Sequence, residues 1–243
     1  MEPAYLKKTP TGIEGLDSML GGGLPLGRCT LVCGGPGSGK TTFCVQFLYN
    51  GATKYNETGL HISLGESPTH IKENMRGFGW DLDKLEKDRK LLIIDGSPFP
   101  REAQKHFSML NLKEIIRTKI EEDQVTRIAI DPITTLMLQY PDVIELRNAV
   151  LELMGAVTDL GLTSLMTTEL RVTSLEREVK IEEFLSHGVI IFNTFNEGNS
   201  PRIVRAIQIE KMRGFAHDQQ IRPYKIQKNG IEIFSKENVL ART

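Results

Sequence analysis

Two hydrophobic periods alternate along the first two-thirds of the chain. Residues 29–33 (CTLVC) are a short apolar run ending at glycines, which predicts a buried strand. Over 40–53, Phe43, Phe47 and Leu48 return at helical spacing. Residues 59–64 (GLHISL) predict a second strand, and Pro68 suits the first turn of a helix reaching about Gly77. Residues 90–94 (KLLII) predict a third strand, after which Leu112, Ile115, Ile116 and Ile120 mark one helical face. Residues 126–130 (TRIAI) predict a strand that delivers Asp131. From Val143 the apolar positions step to Leu146, Val150, Leu153, Val157 and Leu160, the pattern of a long amphipathic helix, and 162–167 (LTSLMT) predict another strand.

Past Gly188 the character changes. Residues 188–195, 202–210, 220–227 and 231–234 all predict strands, separated by turn residues at Asn196-Glu197-Gly198 and Asn229-Gly230. Asn-Gly between alternating runs is a strong hairpin signal. Strand–helix alternation implies an α/β fold with a mainly parallel central sheet flanked by helices. The last third predicts a meander that extends this sheet with antiparallel strands. With no internal repeat, low-complexity segment or long linker, one domain over residues 1–243 is the simplest expectation.

Composition narrows the function classes. Of 243 residues, 40% are hydrophobic and 25% charged, the balance of an ordinary soluble protein. A formal net charge of −1 supplies no bulk basic field, which argues against nucleic acid or a membrane surface as an obligatory partner. The three cysteines, Cys29, Cys33 and Cys44, have no metal-ligand spacing and read as buried thiols in a reducing compartment. No run approaches eighteen apolar residues and MEPAYLKKTP has no apolar leader, so a cytoplasmic protein without a membrane span is expected.

The chemistry concentrates after the first strand. Gly34-Gly35-Pro36-Gly37-Ser38-Gly39-Lys40-Thr41 satisfies G-x-x-x-x-G-K-[ST], between a predicted strand and a predicted helix. Glycines let successive N–H groups curl toward phosphate oxygens, and the helix presents its positive end to the same anion. Lys40 can reach the outer phosphates and the Thr41 hydroxyl can ligate Mg²⁺, so ATP with Mg²⁺ is the expected ligand. Asp131, at the end of an apolar strand, is placed to hold Mg²⁺ through its water shell; an Asp there can also cap the next helix. Glu66 follows the strand at 60–64 and would lie at the same sheet edge, where a carboxylate can polarise an attacking water. A surface glutamate at a helix start fits the same residues.

Further motifs resemble KaiC-like proteins of the RecA superfamily of P-loop ATPases, nearly end to end. They are Thr11-Gly12-Ile13-Glu14-Gly15-Leu16-Asp17 through Gly22–Arg28, Gly77-Phe78-Gly79-Trp80-Asp81-Leu82, Met166-Thr167-Thr168-Glu169, Ile181-Glu182-Glu183-Phe184, Gly188-Val189-Ile190, and Lys211-Met212-Arg213-Gly214 with His217 following. The resemblance implies a RecA-like homo-oligomer, a hexameric ring with ATP at the subunit interfaces, acting as a switch on a regulatory protein partner. It implies that Lys211 and Arg213 reach a neighbour's γ-phosphate and that Met212, Phe215 and His217 line that interface; Thr42 is expected near the α-phosphate, and Glu169, at the end of its strand, to sense the γ-phosphate. On the residues alone, Lys and Arg at the end of an edge strand also deter aggregation.

The chain departs from the family at three points. Two adjacent glutamates are usual where it has Gly65-Glu66, which implies slow hydrolysis if the first is the better base. Clock members carry two such domains in tandem and a Ser-Thr phosphorylation pair in the second, which Thr173-Ser174 matches only loosely. Lys228 stands where their first domain tends to be acidic. The resemblance therefore supports the family and not a circadian role. Alternatives to a ring ATPase switch are an ATP-dependent scaffold with little turnover, a recombinase-like single-stranded-DNA-binding ATPase, and an autokinase. Residues 171–183 mix Arg171, Arg177 and Lys180 with as many acids, which disfavours the DNA reading.

Overall fold

The computed structural model describes residues 7–96, 109–170, 179–196 and 203–239. Strands β1 (Lys8–Thr9) and β2 (Leu24–Pro25) pair antiparallel around helix α1 (Leu16–Met19). The alternating body follows: β3 (Cys29–Gly34), α2 (Lys40–Lys54), β4 (Thr58–Ser63), α3 (Pro68–Arg76), α4 (Leu82–Lys87), β5 (Leu91–Asp95), α5 (Met109–Asp123) and β6 (Val125–Asp131). Next come α6 (Thr134–Met137), α7 (Val143–Asp159), β7 (Thr163–Glu169) and α8 (Ile181–Leu185). Four strands close the chain: β8 (Gly188–Asn196), β9 (Ile203–Met212), β10 (Arg222–Gln227) and β11 (Gly230–Ile233).

Nine strands form one sheet in the order β11-β10-β9-β8-β3-β7-β6-β4-β5. β8, β3, β7, β6, β4 and β5 run parallel, and β9, β10 and β11 are added antiparallel. β3 is central and all six of its residues are buried, because helices cover both faces of the sheet. On one face α2 sets Phe43, Phe47 and Leu48 against Val32, Leu165 and Phe192. On the other, α5 and α7 set Leu112, Ile116, Val150 and Leu153 against Leu31, Ile62 and Ile130. All three cysteines are buried and free, Cys29 and Cys33 together on the α7 side.

Four features differ from the sequence expectation. β8, expected within the antiparallel meander, is parallel to β3, since the chain from β7 crosses over through α8 before re-entering the sheet. β9 continues to Met212, which puts Lys211 in the strand. The β10–β11 turn is made by Lys228 and Asn229, with Gly230 opening β11 opposite Gln227. Gly230 has φ 111°, and a Cβ there would lie 2.7 Å from the Trp80 ring, so glycine is required by packing as well as by conformation. Val143 and Ile144 face outward, and the buried face of α7 is carried by Val150, Leu153, Met154, Ala156 and Val157. Beyond Asn196, the expected 196–198 turn lies outside the described residues, as do Arg171, Thr173, Ser174 and Arg177.

Candidate nucleotide site

The phosphate loop joins the end of β3 to the start of α2. Gly37 and Gly39 have φ 71° and 90°, backbone that turns the loop back over the helix. Ser38 Oγ donates to Gly35 O at 2.8 Å and closes the turn from within. Lys40 Nζ donates to Gly34 O at 2.8 Å and Gly35 O at 3.1 Å, so its ammonium lies over the loop. Partial burial lowers the Lys40 pKa, opposed by the nearby charges of Asp131 and Glu169. Thr41 and Thr42, half-buried, follow on the first turn of α2.

Parallel strands bring the acids to this edge. Ser63 at the end of β4 stands opposite Asp131 at the end of β6, and Gly34 at the end of β3 opposite Glu169 at the end of β7. Asp131 is buried and accepts from the Thr167 hydroxyl of β7, which fixes one carboxylate oxygen. Glu66 lies in the turn after β4, where its N–H donates to Ser63 Oγ at 3.2 Å and its Oε1 accepts from Asn74 of α3 at 2.7 Å. Lys40, Thr41, Thr42, Glu66, Asp131 and Glu169 thus share the C-terminal edge of the strands. Among the described residues no three His, Cys, Asp or Glu side chains gather to hold a metal. This donor set suits Mg²⁺, which keeps waters and phosphate oxygens and needs only one or two protein ligands.

Lys211 and Arg213 lie elsewhere. β9 is antiparallel to β8, with Met212 opposite Gly188, so they sit where β8 begins and beside the start of β3. The six residues of β3 separate this edge from the phosphate loop, about 20 Å at ~3.3 Å per residue. Lys211 Nζ donates to Glu183 O at 2.5 Å, and Arg213 Nη2 to Phe184 O at 2.7 Å, both at the end of α8. Met212 is 4% exposed and packs in the core, so any ligand contact it makes runs through its backbone. Phe215 lies under the Lys8 ammonium, 5.0 Å from the ring centre, and His217 Nδ1 is 3.2 Å from Phe215 O.

Several residues at these edges were not singled out from the sequence. Tyr224 of β10 donates its hydroxyl to Ser38 O at 2.6 Å, and Ile226 packs at Gly39, where a Cβ would meet its Cδ1 at 2.9 Å. β10 pairs with β9 only at Arg222–Ile207 and Pro223–Ala206, then diverges, opening a cleft of about 650 Å³ beside the loop. Arg205, Tyr224, Lys225, Gln227 and Lys228 line it, and Arg205 Nε is buried without a hydrogen bond. Pro223 is the signal that was available: it lacks an N–H and marks where ladder pairing stops. His61 of β4 is fully buried with neither ring nitrogen hydrogen-bonded, and burial lowers its pKa against the pull of Asp131.

A parallel sheet with a glycine loop leading into α2 and an acid ending a neighbouring strand defines a P-loop NTPase of the RecA-like kind. The family model described as "ATPase: KaiC" matches residues 9–238. The circadian clock oscillator protein KaiC of Thermostichus vulcanus is 42% identical over 235 residues, covering 95% of this chain and 45% of that protein. The protein of the same name from Synechococcus elongatus is 39% identical over 237 residues, 96% of this chain and 45% of its own length. The chain belongs to the KaiC ATPase family and spans about half the length of these relatives.

Proposed function

We propose that the chain binds ATP with Mg²⁺ at the Gly34–Thr41 loop and hydrolyses it within an assembly of its own copies, as a nucleotide-dependent switch. The observation that carries this reading is the placement of Lys211 and Arg213 at the sheet edge away from the loop. At that distance they cannot serve the phosphates of their own loop, whereas a neighbouring protomer's loop can be brought to them. In this reading the loop N–H groups and Lys40 hold the phosphates, with Thr42 beside the α-phosphate. Thr41 and Asp131 hold Mg²⁺, which neutralises charge on the β- and γ-oxygens. Glu66 orients the attacking water, and Glu169 lies at the γ-phosphate. Lys211 and Arg213 stabilise the charge that develops in transfer, with Phe215 and His217 at the same contact. The base and ribose occupy the cleft beside Tyr224 and Lys228. Among the described residues no helix is long and apolar enough to cross a membrane.

Mixing tests the shared site. Lys40→Ala and Arg213→Ala proteins, each inactive alone, should recover part of the ATP turnover when combined, because a mixed interface joins an intact loop to an intact cation pair. Failure to recover, or full activity in Arg213→Ala alone, would overturn the shared site. A second reading, a scaffold with little turnover, is favoured by Gly65 and by the Asn74 amide that already occupies Glu66. Wild-type turnover no faster than Glu66→Gln, with tight ATP binding, would select it.

A further inference from the structure

The cationic edge holds more than the Lys–Arg pair. Arg28, which precedes β3, places Nη1 3.1 Å from His187 Nε2. His187 is fixed by its backbone: its N–H donates to Cys29 O at 3.0 Å, and its carbonyl accepts from the Arg213 N–H at 2.8 Å. Its Nδ1 is buried and has no hydrogen bond. Arg28 thus contacts the imidazole, and the charges of Arg213 and Lys211 also act on it. None of the three takes part in a described ion pair. Among the described residues, the Glu183 carboxylate of α8 acts on Lys211. The Cys29 thiol beneath it has a pKa raised to about 12 by burial and stays neutral.

We infer that Arg28 and His187 complete one anion site with Lys211 and Arg213, and that docking of a neighbouring copy's nucleotide polyphosphate there is coupled to uptake of a proton at His187 Nε2, which gives up its bond from Arg28 as both the guanidinium and the new N–H turn to the polyphosphate. The inference rests on the shared-site reading above. In the separate chain, burial and then the charges of Arg28, Arg213 and Lys211 hold the His187 pKa below its usual 6.5, so the ring is neutral near pH 7. A polyphosphate brought into the cluster reverses the local field and raises that pKa. The assembled form then binds more protons than the separate chains. Assembly therefore strengthens as pH falls through the window between the two values, and levels off outside it. A single linked proton changes affinity by up to about tenfold per pH unit inside that window.

The test is ATP-dependent assembly of the full chain with Mg²⁺, followed by light scattering from pH 5.5 to 8 for wild type, His187→Gln and Arg28→Gln. Fluorescent-nucleotide binding to the separate chain reports that each variant's own loop is intact. Wild-type assembly should strengthen toward low pH with net proton uptake in weakly buffered solution. His187→Gln should assemble with a flat profile and lose that uptake, while keeping its loop affinity. Arg28→Gln should shift the profile toward higher pH, since removal of a cation raises the histidine. Assembly with the same pH profile in wild type and His187→Gln overturns the inference and leaves the shared site standing. No ATP-dependent assembly at any pH removes the shared site, and this inference with it.

Discussion

The two ends of the parallel strands make different kinds of site. At the C-terminal end, eight contiguous residues build the phosphate loop, and neighbouring strand ends add Asp131, Glu66 and Glu169. At the N-terminal end, Arg28, His187, Lys211 and Arg213 come from three stretches of chain and meet only through the β3–β8–β9 pairing. The first end gathers a glycine loop, an ammonium, hydroxyls and carboxylates at one edge. The second is a set of cations, two resting on main-chain carbonyls and one on a neutral imidazole. In the proposed function the first end binds the nucleotide, and the second acts only on a nucleotide that another copy holds.

That division is broken first by the largest expected effect. Arg213→Ala should lower turnover by roughly 10³–10⁵ while nucleotide affinity of the separate chain stays unchanged. A matching loss of affinity would mean that the two edges are not functionally distinct. At the loop edge, Glu66→Gln should cost about 10²–10⁴ in turnover with little change in ATP affinity, if the carboxylate orients water. The complementary change is Gly65→Glu. A Cβ at Gly65 would meet Pro132 Cδ at 3.4 Å, ordinary van der Waals contact, so a side chain can start there, and turnover should rise. A Gly65→Glu protein that folds and binds ATP without gain would locate the slow step elsewhere. Lys40→Ala should weaken nucleotide binding by about 2 kcal/mol, or roughly 30-fold, as a charge-assisted bond to phosphate is lost. The smallest effect is Tyr224→Phe. It removes the bond to Ser38 O, worth ~1 kcal/mol, and should lower Tm by about 2–4 °C as measured by thermal unfolding.

The contrast also explains what could be read in advance. The loop was legible because its chemistry is local: backbone curvature, one ammonium and one hydroxyl lie within eight residues. Asp131 was legible because an apolar strand ending in an acid delivers that acid to the edge where the loop lies. Strand and helix placement followed from periodicity for every long element, whereas the short pieces α1, α4, α6 and α8 offer too few turns to show a period. The parallel direction of β8 was missed because strand periodicity carries no sense of direction. Lys211 and Arg213 could be named only by resemblance, since nothing in their own neighbourhood says which edge they reach. Arg28 and His187 were invisible because their meeting depends on the pairing of β3 with β8. The cleft depends on where β10 leaves β9, a tertiary event for which Pro223 is the single local sign.

The central strand gives this arrangement a mechanical character. β3 is six residues long, is buried throughout, and is laddered on both sides by β7 and β8. Such a strand does not stretch or buckle; it moves as a stiff rod with its neighbours. One tip of the rod is the glycine loop, the proposed nucleotide cradle, and Arg28 stands at the other. In the assembly of copies proposed above, the two tips would address different nucleotides. A tilt at one cradle would then reach the neighbouring cradle as a displaced guanidinium, the chain serving as a pushrod between the two.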